Sequence, residues 1–255
     1  MQPVIPFTLP SSEEQAIALQ NQLAHKIIKT DHPSSHDDAC DINASNIDSC
    51  DNTNSIDIIA GVDVAYCNDS DVLFAAVVLL DAQTLAVIET VTTQAKAQFP
   101  YIPGLFSFRE LPALIEAFAL LKHTPDLVIC DGQGIAHPRR FGLASHLGLL
   151  FDIPTIGCGK TRLLGEHDTV NITRGERSLL MDNNEVIGAA LRTQTNIKPL
   201  YISIGHKISL ESACEFLLKL TPKYRLPQTT RLADQAVNRA RKAYLSQQGL
   251  NNTPL

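Results

Sequence analysis

An aspartate sits inside each of two short apolar runs: Asp63 within Ile58-Ile59-Ala60-Gly61-Val62-Asp63-Val64-Ala65-Tyr66, and Asp131 at the end of Val128-Ile129-Cys130-Asp131. Both runs read as strands, and an unpartnered carboxylate costs several kcal/mol to bury in one. A fold that accepts both must therefore give each a partner. If the two meet, their repulsion calls for a divalent cation between them. Asp131 opens a glycine-rich turn, Gly132-Gln133-Gly134, and His137, Arg139 and Arg140 follow closely. Basic groups in that position suit an anionic substrate such as a phosphodiester. The combination points to metal-dependent phosphate chemistry.

The surrounding pattern predicts an α/β chain. Strands are expected at about 56–66, 73–80 and 86–93, joined by short turns (68–71 and 81–84) that suit an antiparallel meander. A helix over 108–122 leads to a strand at 127–131, a helix at 141–151 and a strand at 155–157. That β-α-β order requires parallel pairing. Later strands are expected at 185–192 and 200–204, with amphipathic helices at 210–220 and 231–244. An amphipathic helix opens the chain from Ser11 to about Lys29, with Ser11 and Glu14 as its capping box. The expected architecture is a mixed β-sheet, an antiparallel meander then parallel strands, flanked by α-helices.

At 255 residues, with 44% hydrophobic side chains, the chain can form one full-sized domain spanning 1–255. The stretch at about 31–55 is rich in Asp, Asn and Ser and is expected to be a flexible insertion; the tail from about 246 is also expected to fray. The net charge of −6 would argue against a nucleic-acid partner if it were evenly spread. Seven aspartates and no Lys or Arg lie between 31 and 57, and setting them aside leaves the rest at +1. Charge therefore neither supports nor excludes nucleic acid. No apolar run reaches the roughly 18 residues of a membrane span, and nothing at the N-terminus reads as a signal peptide. Six cysteines without a CxxC pair fit neither zinc nor a disulfide framework, so a cytoplasmic location and no membrane association are expected.

Other candidates carry two readings each. Glu110 reads as a site carboxylate or as the end of a Ser107-x-x-Glu110 capping box. Pro100 and Pro103 stiffen the segment that presents Tyr101 and Ile102 together, which suits an apolar wedge between bases or a hydrophobic loop packed on its own helix. His137 suits contact with a scissile phosphate, or is a surface polar residue. Gly159-Lys160-Thr161 evokes a phosphate-binding loop, but the first glycine of GxxxxGK[ST] would fall on Pro154, which disfavours a nucleotide triphosphatase. Lys160 could still neutralise phosphate charge, or be an ordinary surface lysine. Asp234, on the last predicted helix, is unremarkable by itself.

Together, GVDVAY at 61–66, PYIPGLFSFRELP at 100–112, DLVICDGQGIAHPRRFGLASHLG at 126–148 and GCGKTRLLG at 157–165 carry a resemblance. GAALRT at 188–193, YISIGHKISL at 201–210 and YRLPQTTRLADQA at 224–236 extend it in order. The chain resembles the endonuclease V family, nucleases with a ribonuclease H-like fold. The resemblance implies that Asp63, Glu110 and Asp131 bind Mg2+ (or Mn2+), with Asp234 close to the metal. Tyr101, within Pro100–Pro103, would belong to a strand-separating wedge, and His137 and Lys160 would lie near the scissile phosphate. Gly132, Gln133 and Gly134 would line the substrate site, where glycine backbone near 132–134 and 157–159 could read the base edge. The implied reaction nicks DNA at the second phosphodiester 3′ of deoxyinosine or another deaminated base, leaving 3′-hydroxyl and 5′-phosphate ends. A monomer acting on DNA with deaminated bases is expected. The alternatives are an endoribonuclease for inosine-containing RNA and a non-catalytic lesion binder. The 31–55 insertion departs from the family pattern, as does Phe106 in a loop that usually carries aliphatics.

Overall fold

The second strand is apolar at every position from Val72 to Leu80, a pattern that requires cover on both faces. A computed structural model, which describes residues 1–31, 56–67 and 70–249, supplies that cover. Strands β1 (Ile58–Tyr66), β2 (Val72–Asp81) and β3 (Val87–Lys96) form the expected antiparallel meander. Helix α1 (Glu13–Ala24) precedes them and α2 (Phe106–Ala119) follows. Then come β4 (Leu127–Cys130), α3 (Leu143–Phe151) and β5 (Thr155–Gly159), with β1, β4 and β5 parallel neighbours. β6 (Arg177–Asp182), β7 (Glu185–Leu191) and β8 (Leu200–His206) continue the sheet, and α4 (Leu210–Lys219) and α5 (Gln228–Gln247) close the chain. The eight strands lie in the order β3-β2-β1-β4-β5-β8-β7-β6.

Side-chain alternation decides which helix each face receives. Leu73, Ala75, Val77 and Leu79 share a core with Leu111, Leu114 and Phe118 of α2 and Leu147 of α3. Phe74 and Ala76 pack with Val237 of α5, and Val78 and Leu80 with Ala233. In β1, Ala60 and Val62 face α2 and α3. Gly61, of opposite parity, lies so close to α5 that an added Cβ would stand 2.4 Å from the Thr229 carbonyl carbon. The missing side chain lets α5 lie directly on the strand.

Several expectations need correction. The cap of α1 is Ser12, whose Oγ accepts from Gln15 N–H, while Ser11 donates to the Gln15 side chain; the helix stops at Ala24 rather than near Lys29. β6 went unpredicted because it is an edge strand in which only Leu180 is buried, so Arg-Ser-Leu-Leu-Met-Asp shows no clean alternation. The strands after β5 pair antiparallel, so the parallel part of the sheet is confined to β1, β4 and β5. Asp31 is fixed, accepting from Ser209 N–H at 2.9 Å and from the Ser212 hydroxyl at 3.0 Å. Ser246 and Gln247 belong to α5. The remainder of the expected insertion, residues 32–55, the expected turn residues 68 and 69, and the last residues 250–255 lie outside the described residues.

Candidate active site

Parallel pairing carries β1 and β4 to the same rim of the sheet. Val62 pairs with Cys130, so Asp63 and Asp131 stand one position further on, side by side on adjacent strands. Asp63 shares parity with Gly61 and faces α5, where Asp234 is exposed on the helix laid against that glycine. Tyr66, of the other parity, faces α2 and donates from its hydroxyl to Glu110 Oε1 at 2.6 Å. Acidic residues from both helical layers thus converge on the end of the central strands. Lys160, directly after β5, places its ammonium against Asp131 Oδ2.

This crowding shows in the protonation equilibria. Burial, then the Asp131 charge and, less strongly, Asp234, raise the Asp63 carboxyl to about 7, against the pull of Lys160. Burial also lifts Glu110 to about 7; Asp63 and Asp131 add to the rise, while Tyr66 and Arg109 oppose it. At Lys160 burial disfavours the ammonium, but the Asp131 contact outweighs it and the pKa is raised. Among the described residues, no three His, Cys, Asp or Glu side chains are grouped tightly enough to enclose an ion unaided. The donor set still fits a hard divalent cation, since Mg2+ commonly binds through one or two carboxylates and keeps several waters. A cation there would offset the repulsion that makes Asp63 and Glu110 hard to ionise.

The Ser107-x-x-Glu110 capping box does not form. Leu105 is the N-cap of α2 and has no side-chain cap bond; Ser107 Oγ instead meets Nδ1 of the buried His146 at 3.0 Å. Glu110 is thereby free to serve the acidic cluster. A cavity of about 500 Å3 opens beside it, with Tyr101, Glu110, Asp131, Gln133, His137 and Lys160 among its walls. Tyr101 is 65% exposed and lies against Phe106, ring centroids 4.7 Å apart. Pro100 and Pro103 are exposed beside it, but Ile102 turns inward onto the core containing Phe99 and Phe108, so only the aromatic is presented.

The glycine turn is set by close approach. A Cβ at Gly134 would stand 1.9 Å from the Ile204 carbonyl oxygen, and a Cβ at Gly157 would stand 2.4 Å from Gly134 N. Ser203 on β8 clasps the turn, accepting from Gly134 N–H at 2.8 Å and donating to Gln133 Oε1 at 3.4 Å. Gly132 lines the same cavity.

His137 is not the cation expected near a phosphate. It is buried, its Nδ1 accepts from Arg139 N–H at 3.2 Å, and Nε2 donates to the Gly104 carbonyl at 3.0 Å. Burial and then Arg139 lower its pKa to about 4, so the ring is neutral at pH 7. The arginines are also committed: Arg139 binds Gly104 O and the Gln20 side chain, and Arg140 pairs with Asp182 at 2.6 Å and Glu185 at 2.7 Å. Gln20, Tyr66 and Ser203 went unremarked in the sequence. Gln20 is 1% exposed on α1 and donates to Gly104 O and Phe141 O, both at 3.0 Å. Its spacing of four from Ala16 and three from Leu23, both on the buried face, was the available signal.

The sequence profile of the family described as Endonuclease V matches residues 42–235. The chain belongs to the endonuclease V family. It is therefore a nuclease acting on phosphodiester bonds. A protein named endonuclease V from Nostoc sp. strain PCC 7120 is 45% identical over 235 residues, covering 92% of this chain and 98% of that protein. The crystal structure of the endonuclease V from Streptomyces avermitilis superposes with a TM-score of 0.81 at 40% identity, covering 96% of this chain and 99% of that one. A Ciona intestinalis endonuclease V, 27% identical, superposes at a TM-score of 0.74 over 89% of this chain and 96% of its own; it was solved with a 24mer DNA containing an inosine followed by a ribo-adenosine. No helix among the described residues is long and apolar enough to cross a membrane.

Proposed function

We propose that this endonuclease V homologue is a metal-dependent repair enzyme that nicks DNA at the second phosphodiester 3′ of deoxyinosine and other deaminated bases, leaving 3′-hydroxyl and 5′-phosphate ends. What supports this reading is that Asp63 and Asp131 lie side by side at the rim of adjacent parallel strands, and that Asp131 and Glu110 line a cavity large enough for an extruded base. Asp63, Asp131, Glu110 and Asp234 are the residues that would hold Mg2+, or Mn2+ in its place. Such an ion, when bound, lowers the pKa of an attacking water and offsets charge building on the phosphate oxygens.

The chain's own groups do the rest. Lys160 holds a permanent positive charge at the carboxylate rim, where it would face a non-bridging phosphate oxygen. Exposed Tyr101 would stack on the bases left beside the vacated position. Backbone groups of Gly132, Gln133 and Gly134, fixed by Ser203, would read the base edge. His137 serves as a neutral tie between the Tyr101 loop and the Arg139 turn. The chain is taken to act as a monomer, in the cytoplasm, and as one domain spanning 1–255. Mapping the cut on a single-inosine duplex with and without Mg2+ tests the reading. One nick, two bonds 3′ of inosine and only with metal, is expected; a cut elsewhere, or one that survives chelation, would overturn it. A matched inosine-containing RNA run in parallel separates DNA from RNA preference.

A further inference from the structure

The rim that carries Asp131 and Lys160 does not end there. β8 runs antiparallel to β5 and β7 antiparallel to β8, so the start of β8 and the end of β7 lie on that same rim. Beyond Lys160 they border a second hollow of about 430 Å3. Five cationic side chains line it: Lys160, Arg162, Arg192, Lys198 and Arg225; no Asp or Glu does.

What holds these cations matters more than their number. Among the described residues, only Lys160 of the five has a carboxylate partner. Arg192 is fixed entirely by carbonyl oxygens, those of Val170, Asn171 and Ile197. Arg225 likewise donates to the carbonyls of Lys160, Lys198 and Pro199. Both guanidiniums are held by main-chain oxygens, and among the described residues neither pairs with a carboxylate. Carbonyl clamps position a cation without neutralising it, so the hollow keeps a strong positive potential. Thr161, Thr169 and Tyr201 add hydroxyls suited to phosphate oxygens.

We infer that this hollow seats the sugar-phosphate backbone of the nucleic-acid strand next to the scissile bond. The inference rests on the proposed endonuclease reading. Lys160, Thr161 and Arg162 form walls of both cavities, so a strand whose base occupies the first continues into the second without leaving positive surface. The exposed positions of Arg162, Thr169 and Lys198 leave the hollow open along its rim, as a continuous polymer requires. A small free anion such as phosphate shares the chemistry and is the competing occupant.

Lys198→Ala and Thr169→Glu test the inference. Both positions are exposed, and among the described residues neither side chain makes a hydrogen bond or ion pair that either change would break. Binding of a labelled 20-mer with one inosine, and of its inosine-free counterpart, is followed by fluorescence anisotropy in EDTA across a salt series. Lys198→Ala is expected to weaken binding of both strands about 3- to 10-fold and to lower the slope of log affinity against log salt by about one. Thr169→Glu should weaken binding without removing a cation. Unchanged affinity and slope in both variants overturn the inference. So does displacement of inorganic phosphate by these changes while strand affinity stays the same. A wild-type protein that bound both strands alike and never nicked the inosine strand would instead count against the endonuclease reading, with the salt slope still reporting on the hollow.

Discussion

The Tyr66 hydroxyl donates a 2.6 Å hydrogen bond to Glu110, linking the last residue of the first strand to the second turn of α2. Arg109 lies over the same phenol ring, 5.3 Å from its centroid. Burial and the Glu110 charge push the phenol's pKa upward, so it stays a donor throughout the working pH range.

Tyr66→Phe removes that donor, which works against the upward shift at Glu110. The Glu110 carboxyl should then ionise at still higher pH. The alkaline-rising limb of a pH–rate profile is expected to move upward, with activity down about 3- to 10-fold at pH 6.5 and largely recovered by pH 8.5. A limb that stays in place would show that the bond does not tune Glu110.

Asp63 and Glu110 both rise to about 7 on folding, from 3.8 and 4.5. The native protein therefore holds more protons than the unfolded chain between roughly pH 4 and 7. Their contribution to stability is greatest at the acid end of that window and declines as pH rises to 7. Asp63→Asn should flatten this decline, raising the melting temperature in EDTA at pH 8 by about 3 °C, and should abolish nicking. Added Mn2+ should stabilise the wild type more at pH 8 than at pH 6. Parallel melting curves for the two proteins across pH would refute the assignment.

Lys160→Ala is expected to lower kcat about 100-fold, the scale of losing one preorganised charge at a reacting centre. Stability should change by less than about 1 kcal/mol, because the lysine side chain is 44% exposed and its ion pair is screened. Lys160→Arg should recover part of the rate. A wild-type kcat in the alanine variant would place the lysine outside the chemistry.

Ser203→Ala leaves the buried Gly134 N–H without its hydroxyl partner, at a cost of about 1–3 kcal/mol in a denaturant titration. Discrimination between inosine and adenine strands should fall more than the rate on inosine, because the loosened turn is the proposed base reader. Equal loss on both strands would assign Ser203 a purely structural role.

Tyr101→Ala should leave stability within about 0.5 kcal/mol, since the ring is largely in solvent. Its cost should appear as weaker selection of inosine in duplex over single-stranded DNA, read from paired kcat/KM values. Unaltered selection would remove Tyr101 from the wedge.

Asp63 and Asp131 were each legible as candidates because a carboxylate inside an apolar run is costly enough to demand a reason. Their pairing was not: the β-α-β pattern joins 127–131 to 155–157, and only the parallel docking of β1 on β4, across the meander and α2, brings the two aspartates together. Glu110 could not be separated locally from a capping residue; the distinction rests on Ser107 turning to His146, a contact across elements. His137, Arg139 and Arg140 looked alike as basic residues beside an anion site. Their commitment to Gly104, Gln20, Asp182 and Glu185 depends on α1 and the β6–β7 hairpin, whose docking leaves no local mark. The edge strand β6 escaped for the opposite reason: with little to bury, its residues carry almost no periodic signal.

The tether of Asp31 to Ser209, and of the Asp126 carboxylate to Ile58 N–H at 2.9 Å, lies where β8 ends and β1 begins. That is the rim of the sheet facing away from the carboxylates. Both stems of the stretch between Asp31 and Ile56 are thus anchored on the far side of the molecule from the cutting edge. Lengthening, shortening or replacing that stretch need not disturb the chemistry, which makes it a natural place to splice a fluorophore tag or a surface-coupling peptide.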